Sequence, residues 1–316
     1  TFPIHQGDVA LGEKVALFLI WQPSGLAPSV LATCRHLREH GYSVLVVANQ
    51  GLEGANLDAI LAEAWGVLVR PNFGYDFGGY RDGLRLLRER AIHPDRLVMM
   101  NDSVWYPLYP NDNLLAACEQ SSADLTGSVL RRRGNVCFLE SYFYSIQGHV
   151  LHSRDFVDFW VNYRLTSNKY KVIRRGERGF SHAMSAANFR LDGLFRESDF
   201  LSAIESADKD LVRAALAYSA FVDPEYARAA HQLSADGSET QIRDFIRAAV
   251  RKHQFYSTFP VAVQRLMFYP VLKKSAEPVS LLWRQAFLRA VDDGMLPAPS
   301  PAVLAEARAR TKEAVR

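Results

Sequence analysis

Four short polar segments follow apolar runs of strand length, and chemistry in this sequence is best sought there. Trp21-Gln22-Pro23-Ser24 ends the run Val15 to Trp21, and Asn49-Gln50-Gly51 ends Tyr42 to Ala48. Asn72 to Asp76 follows Gly66 to Arg70, and Asn101-Asp102-Ser103 follows Arg96 to Met100. In open parallel sheets ligands bind beyond the carboxyl ends of the strands, where loops and helix N-termini bring unpaired N–H groups together. Asn72 and Asp76 offer hydrogen bonds to a base or a sugar, and Gly74, Gly78 and Gly79 permit a close approach that side chains would block. The same residues also read as a helix-capping turn. Asp102 directly follows a buried strand, the place where a divalent cation beside a phosphate finds a carboxylate; it reads equally as a turn aspartate ahead of Pro107. The G-x-G-x-x-G fingerprint is missing after the first strand, which disfavours a nicotinamide dehydrogenase.

Further along, Arg131, Arg132 and Arg133 form a basic turn that either neutralises a diphosphate through bidentate guanidinium bonds or is a solvated loop. Glu140 sits in the aromatic stretch Cys137 to Ile146, read as one strand; it lines a polar cleft or alternates out to water. Cys118 and Cys137 have no base nearby in sequence and read as core residues.

The elements that must position these residues alternate strand and helix over the first hundred positions. Helical spacing covers about 28–40, 56–64 and 80–90, with a glycine-rich turn over 72–79. Four such units imply a mostly parallel sheet flanked by helices on both faces, an α/β fold. From Asn113 the pattern changes to added strands, including an antiparallel pair. Helices are expected over Asp155 to Tyr163 and from near Gly179, and beyond about Arg190 only helix and loop. The division this suggests is a catalytic domain over 1–195 and a helical region over 196–316.

Composition narrows the class. The 316 residues are 48% hydrophobic, enough for a substantial core, and 37 Lys+Arg against 34 Asp+Glu is too balanced for a nucleic-acid clamp. Three scattered cysteines make neither a disulfide framework nor a zinc knuckle and fit a reducing, cytoplasmic setting. No apolar run reaches the roughly 18 residues of a membrane span, and no signal-peptide order opens the chain. The chain begins at Thr1, as a piece of a longer protein would. Between 243 and 289, nine Lys/Arg face two acids, interleaved with Phe255, Tyr256, Phe259, Phe268, Tyr269 and Trp283. That combination suits either an anionic membrane surface, on the inner face of the cytoplasmic membrane, or a helical cap whose aromatics pack inward.

The middle of the chain resembles the rhamnan synthesis protein F family of polysaccharide glycosyltransferases. The likeness runs through VRPNFGYDFGGYRDGL at 69–84, LVMMNDSVWYPL at 97–108, ESYFYSIQGHVLHSRDFVDFW at 140–160 and KVIRRGERGFSHAM at 171–184. It implies a glycosyltransferase A-type, Rossmann-like nucleotide-sugar fold in which Asn101-Asp102-Ser103 takes the place of an Asp-x-Asp element, Ser103 replacing the second carboxylate. Asp102 is then the contact to a metal, Mg2+ or Mn2+, or to the diphosphate. By the same resemblance Glu177, set in Gly176 to Ser181, is the catalytic base at the opening of a helix, with Glu140 as second candidate. The implied donor is a nucleoside-diphosphate deoxysugar such as dTDP-L-rhamnose. The implied acceptor is a lipid-linked or surface polysaccharide, and the mechanism is inverting through a single base. A noncatalytic partner that keeps the fold without a complete acidic site is the competing reading.

Overall fold

A computed structural model describes residues 2–134 and 136–315, apart from the side chains of Arg133 and Val315. The chain divides into two compact units. The first runs to Asp102 and resumes over Asn113–Leu194; the second joins Ser103–Asp112 to everything from Phe195 onward.

The strands in chain order are β1 Ile4–Gln6, β2 Lys14–Ile20, β3 Tyr42–Ala48, β4 Gly66–Val69, β5 Arg96–Asn101 and β6 Val104–Trp105. They continue with β7 Leu125–Gly127, β8 Leu130–Arg133, β9 Val136–Leu139, β10 Phe143–Gln147, β11 Leu191–Gly193 and β12 Leu272–Lys273. Eight of them form one sheet in the order β1-β4-β3-β2-β5-β10-β7-β11. The run β4-β3-β2-β5 is parallel, β7 pairs parallel with β11, and β1 and β10 are reversed. The α/β fold with its mostly parallel central sheet is therefore as the sequence implies. Every residue of β3, and all but the first of β2, is buried, because a parallel strand is covered on both faces.

Helices α1 Pro28–Glu39, α2 Gly54–Leu61 and α3 Tyr75–Glu89 link the parallel strands. Helix α3 starts four residues into the expected glycine-rich turn, so Gly78 and Gly79 are helical. A Cβ on Gly79 would lie 2.1 Å from Leu19 Cδ1, and one on Gly83 would lie 2.4 Å from Leu17 Cδ1. These two glycines let α3 settle on β2; among the three of the expected turn, Gly74, at φ +87°, is the one whose left-handed backbone demands glycine.

Three expectations need correction here. The stretch 137–146 is not one strand: β9 pairs with β8 in a separate hairpin while β10 joins the main sheet, leaving Glu140, Ser141 and Tyr142 as the corner between them. Arg131–Arg133 are accordingly strand residues of β8, the turn falls at Gly134, and Cys137 is exposed on β9, whereas Cys118 is core.

Helices α4 Leu114–Gln120, α5 Gly148–Leu151, α6 Arg154–Asn162 and α7 Lys169–Val172 follow. Ser153 caps α6 and Asn168 caps α7 through their side chains. Helix α7 runs without a break through a π-helical turn, Ile173–Glu177, into α8 Arg178–Ala186. Glu177 thus lies at a π turn inside a continuous helix, not at a helix opening. Gly176 accommodates the turn, since a Cβ there would meet the Phe77 ring at 2.6 Å.

The second unit is mostly helical: α9 Glu197–Ser206, α10 Lys209–Ala217, α11 Pro224–Asp236, α12 Glu239–Val250, α13 Phe255–Thr258, α14 Pro260–Met267, α15 Pro278–Asp292 and α16 Pro301–Val315. Strand β12, where only helix and loop were expected, pairs with β6. Phe255, Tyr256, Phe259, Tyr269 and Trp283 are all buried and pack against one another and against Phe195 and Phe200, some edge to face and some stacked. Arg284 is fully buried and donates to the Lys273 and Ser275 carbonyls and to Thr311 Oγ1. Arg247 is paired with Glu205 and Asp244, and Arg243 bonds the Ile204 and Ala207 carbonyls. The aromatic half of the membrane-surface expectation is overturned, with Phe268 the exception at the surface: these rings build a core, and several of the interleaved bases are spent inside the unit.

Candidate active site

The carboxyl ends of β2 and β5 meet at Asp102. Its Oδ2 accepts the Trp21 backbone N–H at 2.9 Å and Gln22 Nε2 at 2.6 Å, while its own N–H donates to the Leu19 carbonyl. Gln22 in turn is held by Gln50 from the end of β3, which accepts the Gln22 N–H at 2.9 Å. Three strand ends are thereby tied together around one half-buried carboxylate.

A second cluster adjoins it. Because Phe143 on the reversed strand β10 stands opposite Met100, the corner 140–142 is delivered beside Asn101 and Asp102. Buried Asn101 donates from Nδ2 to Asp76 Oδ2 at 2.9 Å and, more distantly, to the Ser141 carbonyl. That carbonyl also accepts the Tyr80 hydroxyl at 2.9 Å. From the π turn, Glu177 Oε2 accepts the Ser141 N–H at 2.9 Å. Asp76, Asn101, Asp102 and Glu177, drawn from three distant stretches of sequence, thus lie around the Ser141 peptide and the Tyr80 phenol. The electrostatics agree: burial first, then the charge of Asp76, with further contributions from Asp102 and Glu177, pushes the Tyr80 hydroxyl well above its usual range. Tyr144 is pushed the same way by burial and then by Glu177, Tyr80, Asp76 and Glu140. Both phenols remain neutral at ordinary pH, and Tyr80 donates.

Sequence reasoning missed the group that sets the neighbouring loops. Arg70 is 3% exposed at the end of β4. Its Nε pairs with Asp82 Oδ2 at 2.6 Å, Nη1 donates to Asn49 Oδ1 at 2.6 Å and Nη2 to the Phe73 carbonyl at 2.7 Å. Asn49 Nδ2 then reaches Asn72 Oδ1 at 3.3 Å. One buried guanidinium therefore fixes the β3 and β4 loops and the start of α3. The available signal was a lone Arg ending an apolar run with an Asp twelve residues later. Trp21 on the β2 loop, and Asn72, Phe73 and Tyr75 after β4, are among the exposed side chains here, Tyr75 in a left-handed backbone at φ +52°.

Glu140, 5% exposed, pairs with Arg131 Nη1 at 3.2 Å, and Arg131 and Arg178 both lie over the Phe138 ring. Arg131 thus neutralises a buried carboxylate, and Arg132 is exposed. The Arg133 side chain lies outside the described residues. Ser103 belongs to the second unit, past the boundary that follows Asp102.

Among the described residues no three His, Cys, Asp or Glu side chains come together as ligands, and Asp102 Oδ2 is already the acceptor of two N–H groups. The residues do not fit a protein-built cation cage.

The sheet order defines the class: an α/β protein with polar and acidic side chains gathered at the carboxyl ends of its parallel strands. More particularly, the chain belongs to the rhamnan synthesis protein F family, whose model matches residues 44–214. It is 28% identical over 303 residues to uncharacterized protein y4gN of Sinorhizobium fredii, covering 92% of this chain and 79% of that one. Among solved structures it is similar to the glycosyltransferase GlyE of Streptococcus pneumoniae TIGR4, with a TM-score of 0.42 and 11% identity. That match covers 92% of this chain and 66% of GlyE. A glycosyltransferase involved in glycosylation of the major capsid of PBCV-1 matches with a TM-score of 0.31 and 10% identity, covering 51% of this chain and 75% of that one.

Proposed function

We propose that this protein is a glycosyltransferase of polysaccharide assembly that moves a sugar from a nucleoside-diphosphate donor to a growing cell-surface polysaccharide, with inversion at the anomeric carbon. The observation that carries the reading is the hydrogen-bonded chain from Asp76 through Asn101 and the Ser141 peptide to Glu177 at the strand ends, with Asp102 next to Asn101 and held by the Trp21 N–H and Gln22. Family membership supports the polysaccharide setting and favours L-rhamnose or a related deoxysugar, as in dTDP-L-rhamnose, as the sugar moved.

In this reading the nucleotide lies over the loops that Arg70 fixes, with Asn72 and Asp76 as polar contacts and the exposed rings of Trp21 and Phe73 as stacking surfaces. Asp102 directs the diphosphate end. Glu177 removes the proton from the acceptor hydroxyl as that oxygen attacks the anomeric carbon and the nucleoside diphosphate departs. The Ser141 N–H fixes one Glu177 oxygen and so orients the carboxylate. Arg131 and Arg132 supply positive charge for the leaving group, with Glu140 holding Arg131 in place.

The test is a panel of dTDP-, UDP- and GDP-sugars assayed for binding by calorimetry and for donor hydrolysis, each with and without Mg2+ or Mn2+. The reading expects one nucleotide class to bind and to be slowly hydrolysed. Silence across the whole panel contradicts it and favours a noncatalytic partner with the same fold.

A further inference from the structure

Away from the candidate active site, a cavity of about 510 Å3 opens between α3 and α6, bounded by Pro94 and Leu97 where β5 begins. It therefore lies toward the amino end of β5, whereas Asn101 and Asp102 lie at its carboxyl end. The volume falls within the usual range of roughly 300–1,000 Å3 for small-molecule sites.

The lining has two chemistries. Arg81, Arg85 and Arg88 share one face of α3 at spacings of four and three residues, and His93 and His152 meet edge to face at 4.8 Å. Arg81 reaches the Tyr163 carbonyl and Arg85 pairs with Glu89, while Arg88 makes no ion pair among the described residues. Beneath them lies an apolar floor of Leu84, Leu97, Phe156 and Trp160. No Asp or Glu is among the lining side chains. The buried Trp160 indole N–H has no hydrogen-bond partner among the described residues, an unsatisfied donor of the kind that calls for an explanation. A row of cations over an apolar floor, with no acid in the lining, complements a molecule that is anionic at one end and apolar at the other.

We propose that this cavity binds an amphipathic phosphate ester, its phosphate against the arginine row of α3 and its apolar tail over the leucine and aromatic floor. The site is separate from the donor site and does not depend on the catalytic reading. A membrane phospholipid and a soluble phosphate ester share this chemistry.

Isothermal titration with octyl phosphate, inorganic phosphate and octanol tests it on the whole protein. Octyl phosphate binds at one site per chain, at least tenfold more tightly than either half-ligand. Arg88→Glu, at an exposed position, weakens it tenfold or more with an unchanged melting temperature, and Val157→Asp does the same from the apolar side. Co-sedimentation with phosphatidylcholine vesicles containing phosphatidic acid separates the sources. Pelleting that Arg88→Glu abolishes assigns a membrane lipid; octyl phosphate binding without pelleting assigns a soluble ester. The proposal is overturned if octyl phosphate does not bind, if inorganic phosphate binds equally well, or if both variants bind as the wild type does.

Discussion

At the scale of single residues, the account assigns Asp102 to donor binding and Glu177 to proton transfer, so the two must fail differently. Asp102→Ala removes the acceptor that the Trp21 N–H and Gln22 share. It is expected to weaken donor affinity about tenfold, the loss of roughly 1.4 kcal/mol attached to one charge-assisted hydrogen-bonding group, read by calorimetry. Glu140→Gln should leave turnover largely intact if Glu140 serves to hold Arg131; loss of turnover as complete as in Glu177→Gln would move the base to Glu140. Asp102 was legible because a polar residue directly after a buried strand is placed by topology alone, and Asp76 because it opens the helix that follows another strand-end loop. Glu140 was misread because a run of aromatic residues carries no mark of where one strand ends and the next begins; only the pairing of β9 with β8 and β10 with β5 shows the corner. Arg70 went unnoticed because its partners, Asn49 and Asp82, come from separate elements that only the folded sheet brings together.

Elements are positioned by close packing and by that buried guanidinium. Gly83→Val would drive a Cβ into Leu17 and Val47 and is expected to cost about 1–3 kcal/mol, seen as a lower urea midpoint with an unchanged slope. Arg70→Met strands Asp82 in the interior and should cost about 3–5 kcal/mol, part of which Asp82→Leu in the same chain restores. Recovery without donor binding would separate the fold's needs from the site's, since the Asn49 and Asn72 loops remain untied. The parallel strands and the helices between them were readable from continuous apolar runs and helical spacing. The π turn before Arg178 was not, because a single inserted residue in a helix leaves no periodic trace, and Gly176 gains its meaning from the Phe77 ring beneath it.

Over the whole molecule, the buried phenols set the alkaline limit. Burial is the first cause in each case: Tyr109 and Tyr163 are raised to about 12, and Tyr42, Tyr80 and Tyr144 are raised as well. A pKa raised in the folded state leaves stability intact below the unfolded value near 10, and stability falls as pH climbs above it, because only the unfolded chain ionises readily. Denaturant melts between pH 9 and 12 should show that fall, and ultraviolet titration should show several tyrosines ionising together with unfolding. The basic, aromatic-rich segment 243–289 shows the limit of composition as a guide: a count of charges and rings does not say which side of a helix they occupy, and here most of the rings face a core. The proposed function stands or falls on whether Asp76, Asn101, Asp102 and Glu177 form one site in which binding and proton removal are separate tasks. Donor affinity and turnover measured side by side in Glu177→Gln test it most directly. The account predicts affinity within about threefold of wild type and turnover reduced at least a hundredfold, the scale of general-base catalysis; unchanged turnover, or the loss of donor binding with the fold intact, would contradict it.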